Sequence, residues 1–276
     1  MLLDLRTSTG ELIKKPANNS MSKKSRRNAL SEGRFVISGK NVVFEALKKN
    51  VELDVLHVYK KIGDGEMELI LNLARENGVN VRFSDRDEID RISGSLNNQG
   101  VCAFVRKFTT LDLNGGISQL KGITKPRLVI ALDSINDPQN LGSIIRTSAA
   151  AKVDMILINQ ARSCPLSEAV FKVSQGGIFH VPIISTPNLV EGIKRFKDIG
   201  FWVYGFEAFA PKLYFAEKFT KDVVLVFGSE GEGLRELTKK SCDLMLKIPI
   251  SGEISSLNVS IATALGIFEV LRQRES

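Results

Sequence analysis

From Arg127 onward the sequence alternates short, almost wholly apolar runs with amphipathic ones, and this alternation restricts the fold more than any other feature. The apolar runs are Leu128–Asp133, Asp154–Ile158, Val181–Ile184, Phe201–Phe206, Val223–Phe227 and Leu244–Ile248. Such runs read as strands buried on both faces. Helical patterns fall between most of them, at Leu141–Ala151, Ser167–Ser174, Leu189–Lys197 and Leu234–Lys240, and a last helix runs from about Leu257 to Arg272. The alternation predicts an α/β fold, a mostly parallel sheet covered by helices.

A smaller α/β unit precedes it. Helices are expected at Asn41–Lys49 and Glu66–Asn77, the latter closed by Gly78, and strands at Val51–Tyr59, Val79–Phe83 and Val101–Val105. Residues 107–126, with Gly115, Gly116, Gly122 and Pro126, read as a linker. The expected plan is a tail over 1–34, a small domain over 35–106, the linker, and a large domain over 127–276. The tail is polar and without periodicity, and reads as disordered. It holds eight Lys or Arg against three acids, and so +5 of the net +7. A basic tail on a nearly neutral body suggests a polyanionic partner, or only a solubilising leader.

Ligands of parallel sheets bind at the carboxyl ends of strands, and three segments there are rich in glycine and polar residues. In the first, 133–146, a turn at Asn136-Asp137-Pro138 leads to Asn140, placed to cap a helix starting near Leu141. Gly142 permits close backbone approach, and Arg146 lies one turn in. An arginine near a helix N-terminus suits a phosphate or carboxylate, though spacing alone equally allows a surface arginine on a well-capped helix. The second, 227–234, has three glycines and the acids Glu230 and Glu232, and suits a loop wrapped around a small polar ligand or a flexible turn. The third, 248–258, combines Ser255, Ser256 and Asn258 with an apolar slot of Ile248, Ile250 and Leu257. That pairing suits an adenine and a ribose, while the serines are also natural helix caps.

Other chemistries find little support. Gly228, Gly231 and Gly233 are spaced GxxGxG, and Leu234-Arg235 stand where a phosphate-binding loop needs Lys and Ser or Thr. Cys102, Cys164 and Cys242 are far apart, with only His57 and His180 to help, so no metal is expected and the thiols read as reduced. Both histidines read as structural. No apolar run reaches membrane-spanning length and no secretory h-region opens the chain, and the reduced thiols fit a cytoplasmic location.

Together the three segments resemble the motifs of the SpoU family of RNA 2'-O-ribose methyltransferases. The resemblance is carried by Asp137–Gly142 with Arg146, by Val226–Leu234, and by Ile248–Ile250 with Ser255–Ala262. Residues 35–106 are similar to that family's L30e-like substrate-binding module through Ile37–Val43 and Asn98–Val101, with Asn98 standing where members often carry histidine. The resemblance implies a trefoil-knotted C-terminal domain, a homodimer, and S-adenosylmethionine bound against the second and third motifs. It implies cofactor contacts at Gly228, Ile248 and Leu257, and a catalytic set of Arg146, Asn140, Glu230, Ser256 and Asn258. The two-domain layout resembles most the enzymes that methylate a guanosine of 23S rRNA. A tRNA ribose methyltransferase, an rRNA methyltransferase conferring antibiotic resistance, and a non-catalytic assembly factor are the alternatives.

Overall fold

The computed structural model describes residues 35–61, 64–106 and 108–275. The tail expected over 1–34 lies outside the described residues.

The N-terminal unit contains β1 (Phe35–Ser38), α1 (Lys40–Lys48), β2 (Leu53–Tyr59), α2 (Gly65–Glu76), β3 (Asn80–Ser84), α3 (Arg86–Ser93) and β4 (Val101–Val105). Its sheet runs β1-β4-β2-β3. Helices α1 and α2 form because each gathers its apolar residues on one side: Val42, Val43, Ala46 and Leu47 in α1, Met67, Ile70 and Ala74 in α2. Asp64 caps α2 by accepting from the Met67 N–H. Gly78, just past its end, takes the left-handed backbone that closes it (φ 66°). Helix α3 escaped the sequence reading because only Ile89 and Ile92 supply its apolar face.

The C-terminal unit is built on β5 (Leu128–Asp133), α5 (Pro138–Ala150), β6 (Met155–Asn159), α6 (Glu168–Val173), β7 (Ile183–Thr186), α7 (Leu189–Asp198), β8 (Trp202–Phe206), β9 (Lys212–Leu213), β10 (Val223–Gly228), α8 (Glu236–Ser241), β11 (Leu244–Lys247) and α9 (Val259–Glu275). Seven strands pair in the order β7-β6-β5-β10-β8-β11-β9, every neighbouring pair parallel. Strand alternation sends Leu128, Ile130 and Leu132 to one face, against α5, α6 and α9. Val129 and Ala131 go to the other, against α7 and the helix of residues 113–121. Covering on both faces explains the unbroken apolar runs.

Three local expectations need correction. Helix α5 starts at Pro138, not Leu141, and Asp137 caps it by accepting from the Gln139 N–H at 3.0 Å. Proline suits the first helical position because it has no N–H to leave unpaired. Asn140 is therefore inside the first turn with its side chain released, and Arg146 sits two turns in rather than one. Helix α9 is capped by Asn258, which accepts from Ser260 N–H at 2.9 Å and Ile261 N–H at 3.3 Å, so Ser255 and Ser256 are not the cap. Finally, the expected linker is structured. Asp112 caps a further helix, α4 (Leu113–Lys121), accepting from Gly115 N–H. Leu111 exchanges backbone hydrogen bonds with Ile183 and Ser185 at β7. Gly116 is there for contact, since a Cβ would lie 2.2 Å from Ile184 Cδ1.

The C-terminal segment is threaded. β11 pairs with β8 on one side and β9 on the other. β9 belongs to the segment 207–222 that leaves β8 and returns to β10, so β11 runs inside that loop. At its far end Gln273 of α9 accepts from Phe219 N–H and donates to the Glu217 carbonyl, and Arg274 donates to the carbonyls of Phe219 and Lys221. The threading turns the start of α9 back to the carboxyl edge of the sheet, beside β10. No helix among the described residues is long and apolar enough to cross a membrane.

Candidate active site

The glycine-rich segment after β10 is a closed ring. Gly233 N–H bonds the Ser229 carbonyl at 3.0 Å, folding residues 229–233 back on the strand end. A Cβ on Gly228 would lie 2.1 Å from the Gly233 carbonyl carbon, so only glycine fits there. This ring is one wall of a cavity of about 500 Å³. The opposite wall is the segment from β11 to α9: Ile248, Ile250, Ser255, Ser256, Leu257, Val259 and Ala262. Phe206 and Phe227, stacked 4.5 Å apart, also line it. The sequence-predicted Gly228, Ile248, Leu257, Glu230 and Ser256 therefore all face one space.

Asn140 and Asn258 join Glu230 at its edge. Glu230 Oε1 accepts from Asn140 Nδ2 at 3.0 Å and from Asn258 Nδ2, while Asn258 Nδ2 also donates to Asn140 Oδ1 at 2.9 Å. One carboxylate thus ties together the three motifs, which are 90 and 118 residues apart along the chain from Asn140. Arg146 is not drawn in. It lies six residues beyond Asn140 on α5, about 9 Å along the axis and about a third of a turn round. Its side chain is exposed, and among the described residues no acceptor holds the guanidinium.

Behind the site, Asp133 at the end of β5 is fully buried and bonded by Arg235 through the guanidinium Nε (2.7 Å) and the backbone N–H (3.1 Å). Burial works to raise its pKa, but these charge-assisted bonds prevail and hold it below the usual carboxylate range. The pair pins the end of the glycine-rich loop to β5. The residue after Asp133, Ser134, has a left-handed backbone (φ 64°), the strain of a sharp turn beside a site.

Sequence reasoning missed Glu207, Ala208, Phe209 and Lys239, which also line the cavity. Glu207 pairs with Lys239 at 2.6 Å, and Phe209 is 89% exposed. The signal available was position: residues 207–209 follow the carboxyl end of β8, but they lack the glycines that marked the other strand ends.

Residues 127–268 match the family described as SpoU rRNA Methylase family, and residues 36–111 match RNA 2'-O ribose methyltransferase substrate binding. A protein of Staphylococcus saprophyticus assigned to the TrmH family of tRNA/rRNA methyltransferases is 36% identical over 240 residues, 87% of this chain and 96% of the relative. The chain belongs to the SpoU RNA methyltransferase family. Two solved structures share its fold. An RNA 2'-O ribose methyltransferase superposes with a TM-score of 0.78 at 24% identity, covering 94% of this chain and 98% of that one. The SpoU methyltransferase AviRb from Streptomyces viridochromogenes, in complex with AdoMet, gives 0.75 at 20% identity, covering 91% and 94%.

In this SpoU chain Asn98 is a brace. It is fully buried, donates to Asp90 Oδ1 (2.5 Å) and the Ser95 carbonyl (2.7 Å), and accepts from Gly100 N–H (2.9 Å). Gln99 Oε1 accepts from Lys40 N–H at the start of α1 (2.8 Å), so the two N-terminal segments that carried the family resemblance touch each other. His57 is structural as expected: it is buried and bonded to Ser84 Oγ at 3.0 Å, and burial lowers its pKa.

Proposed function

We propose that the chain moves a methyl group from S-adenosylmethionine to a ribose 2'-hydroxyl of structured RNA, with a guanosine of 23S rRNA as its target. The observation that carries this reading is the meeting of Asn140, Glu230 and Asn258 on one carboxylate at the edge of a nucleoside-sized cavity. The cavity residues suit the cofactor. Ile248, Ile250 and Leu257 offer an apolar slot for an adenine, and Ser229, Ser255 and Ser256 offer hydroxyls. Gly228 and Leu257 would hold it largely through backbone groups. The cofactor supplies a sulfonium methyl carbon.

The chain's own groups align the acceptor and manage its charge. A 2'-hydroxyl is a weak acid, so negative charge develops on its oxygen as its proton leaves to solvent, and that charge is consumed as the new O–C bond forms and the sulfonium S–C bond would break. Arg146 binds the neighbouring phosphate and stabilises that charge. Its exposure fits a residue that meets RNA rather than cofactor. Asn140, Glu230, Ser256 and Asn258 orient ribose and cofactor, and much of the rate comes from this positioning.

The working form in this reading is a cytoplasmic homodimer. Ile261, Leu265 and Phe268 form an exposed apolar stripe on α9 at helical spacing. Ile261 adjoins Ala262 of the cavity wall, so a second copy seated on the stripe would border the cavity. The N-terminal unit, read as an L30e-like module, and the basic tail supply RNA affinity. That module favours an rRNA target over tRNA, and the intact site favours an enzyme over an idle assembly factor. Calorimetric titration with S-adenosylmethionine tests the reading cheaply: saturable binding is expected, and no binding would refute it.

A further inference from the structure

The N-terminal unit is docked on the catalytic unit by a built interface. Phe35 and Phe108 pack on Phe171, with ring centroids 4.6 and 5.0 Å away, and Phe179 closes the cluster. Around it lie polar contacts between the units: Val36 N–H to Glu168 Oε1 (3.2 Å), Asn41 Nδ2 to Gln175 Oε1 (3.4 Å), Lys172 Nζ to Ser95 Oγ (2.8 Å), and His180 Nε2 with Glu45 Oε2 (2.6 Å). The apolar core runs continuously through both units.

At the centre of this interface are Gln175, Gly176 and Gly177, the first two in left-handed backbone (φ 50° and 86°). Gly176 faces the N-terminal unit: a Cβ there would lie 2.6 Å from Glu45 Cβ on α1. Gly177 faces α5: a Cβ there would lie 3.0 Å from Arg146 Cα and 3.2 Å from Ala149 Cβ. One dipeptide therefore touches the substrate-binding unit on one side and the backbone of the candidate catalytic arginine on the other.

We propose that Gly176 and Gly177 are positioning residues for methyl transfer: they set the distance between RNA held on the N-terminal unit and the helix that carries Arg146. This rests on the RNA methyltransferase reading above. It makes the N-terminal unit a fixed arm, so the docked form is the one that works. Turnover is sensitive to such spacing, since a displacement of about 1 Å can cost about 100-fold.

Two variants test it. Gly176→Ala forces a Cβ against Glu45 in a backbone that alanine adopts reluctantly. Glu45→Lys replaces the carboxylate bonded to His180 with a cation, keeps the Cβ and Cγ that face Gly176, and stays available if the first variant folds poorly. Each is assayed against the unaltered chain for kcat on unmodified ribosomal RNA, RNA Kd and S-adenosylmethionine Kd. The expected result is a split: kcat falls at least about tenfold while both dissociation constants stay within about threefold. Unchanged kcat in Glu45→Lys overturns the proposal. Raised kcat also overturns it, because the docked form would then be a resting state, and so does a loss confined to RNA Kd. If the unaltered chain itself neither binds cofactor nor methylates RNA, the functional reading has failed instead, and the two failures are distinct.

Discussion

At Asn140 one residue's displacement decides what its side chain can do. The sequence suggests a cap for Asn140, because Asn before an apolar helical run has that role. Asp137 and Pro138 take the helix start three residues earlier, and the amide is left to reach Glu230. The chemistry of the position was legible, and its partners, far away in the chain, were not. For Arg146 the expected variant behaviour is specific. Arg146→Ala keeps cofactor affinity in calorimetry but loses transfer by at least about 10²-fold, the scale of a lost preorganised charge. Near-normal turnover would remove it from the catalytic set. Asp133 gives a pH prediction. Its folded pKa is depressed, so the Arg235 pair contributes stability that is full above the ordinary carboxylate value of about 4 and is lost as pH falls through the lower folded value. Asp133→Asn should lower stability by about 2 kcal/mol at pH 7, less than for a wholly buried pair because Arg235 remains partly exposed. In urea unfolding, the difference from the unaltered chain should shrink as pH drops below about 4.

Elements were legible where burial left a continuous mark. All six long strands of the large sheet were found within about two residues at each end, because β5 and β10 at its centre are apolar on both faces. Where burial is one-sided and thin the signal failed. Helix α3 buries only two isoleucines, and the helix at 113–121 hides behind glycines that serve contact rather than flexibility. The glycine-rich loop after β10 is the element most intolerant of change. Gly228→Ala should abolish cofactor binding in calorimetry, since its methyl has no room against the Gly233 carbonyl. Retained affinity would show that the ring is not the cofactor's wall. On α9 the apolar stripe makes a second prediction. Phe268→Glu should convert a dimer to a monomer in sedimentation measurements, and an unaltered chain that sediments as a monomer would contradict the dimer.

Over the whole molecule, what the sequence could not reveal is set by pairings between distant segments. β11 lies between β8 and β9 because the 207–222 segment goes round it, and no local period encodes that route. Family resemblance supplied it instead. The docking of the N-terminal unit was equally hidden, since its aromatic contacts join residues from 35, 108, 171 and 179. If this docked molecule grips RNA by its phosphates, affinity should fall at least about tenfold between low and physiological salt. The most direct measurement is to incubate the full chain with methyl-labelled S-adenosylmethionine and unmodified ribosomal RNA, then map the label by nucleoside analysis. Label on a single ribose 2'-oxygen, lost in Arg146→Ala, is the expected result. Label on a base, or none in any RNA while the cofactor binds, would contradict it.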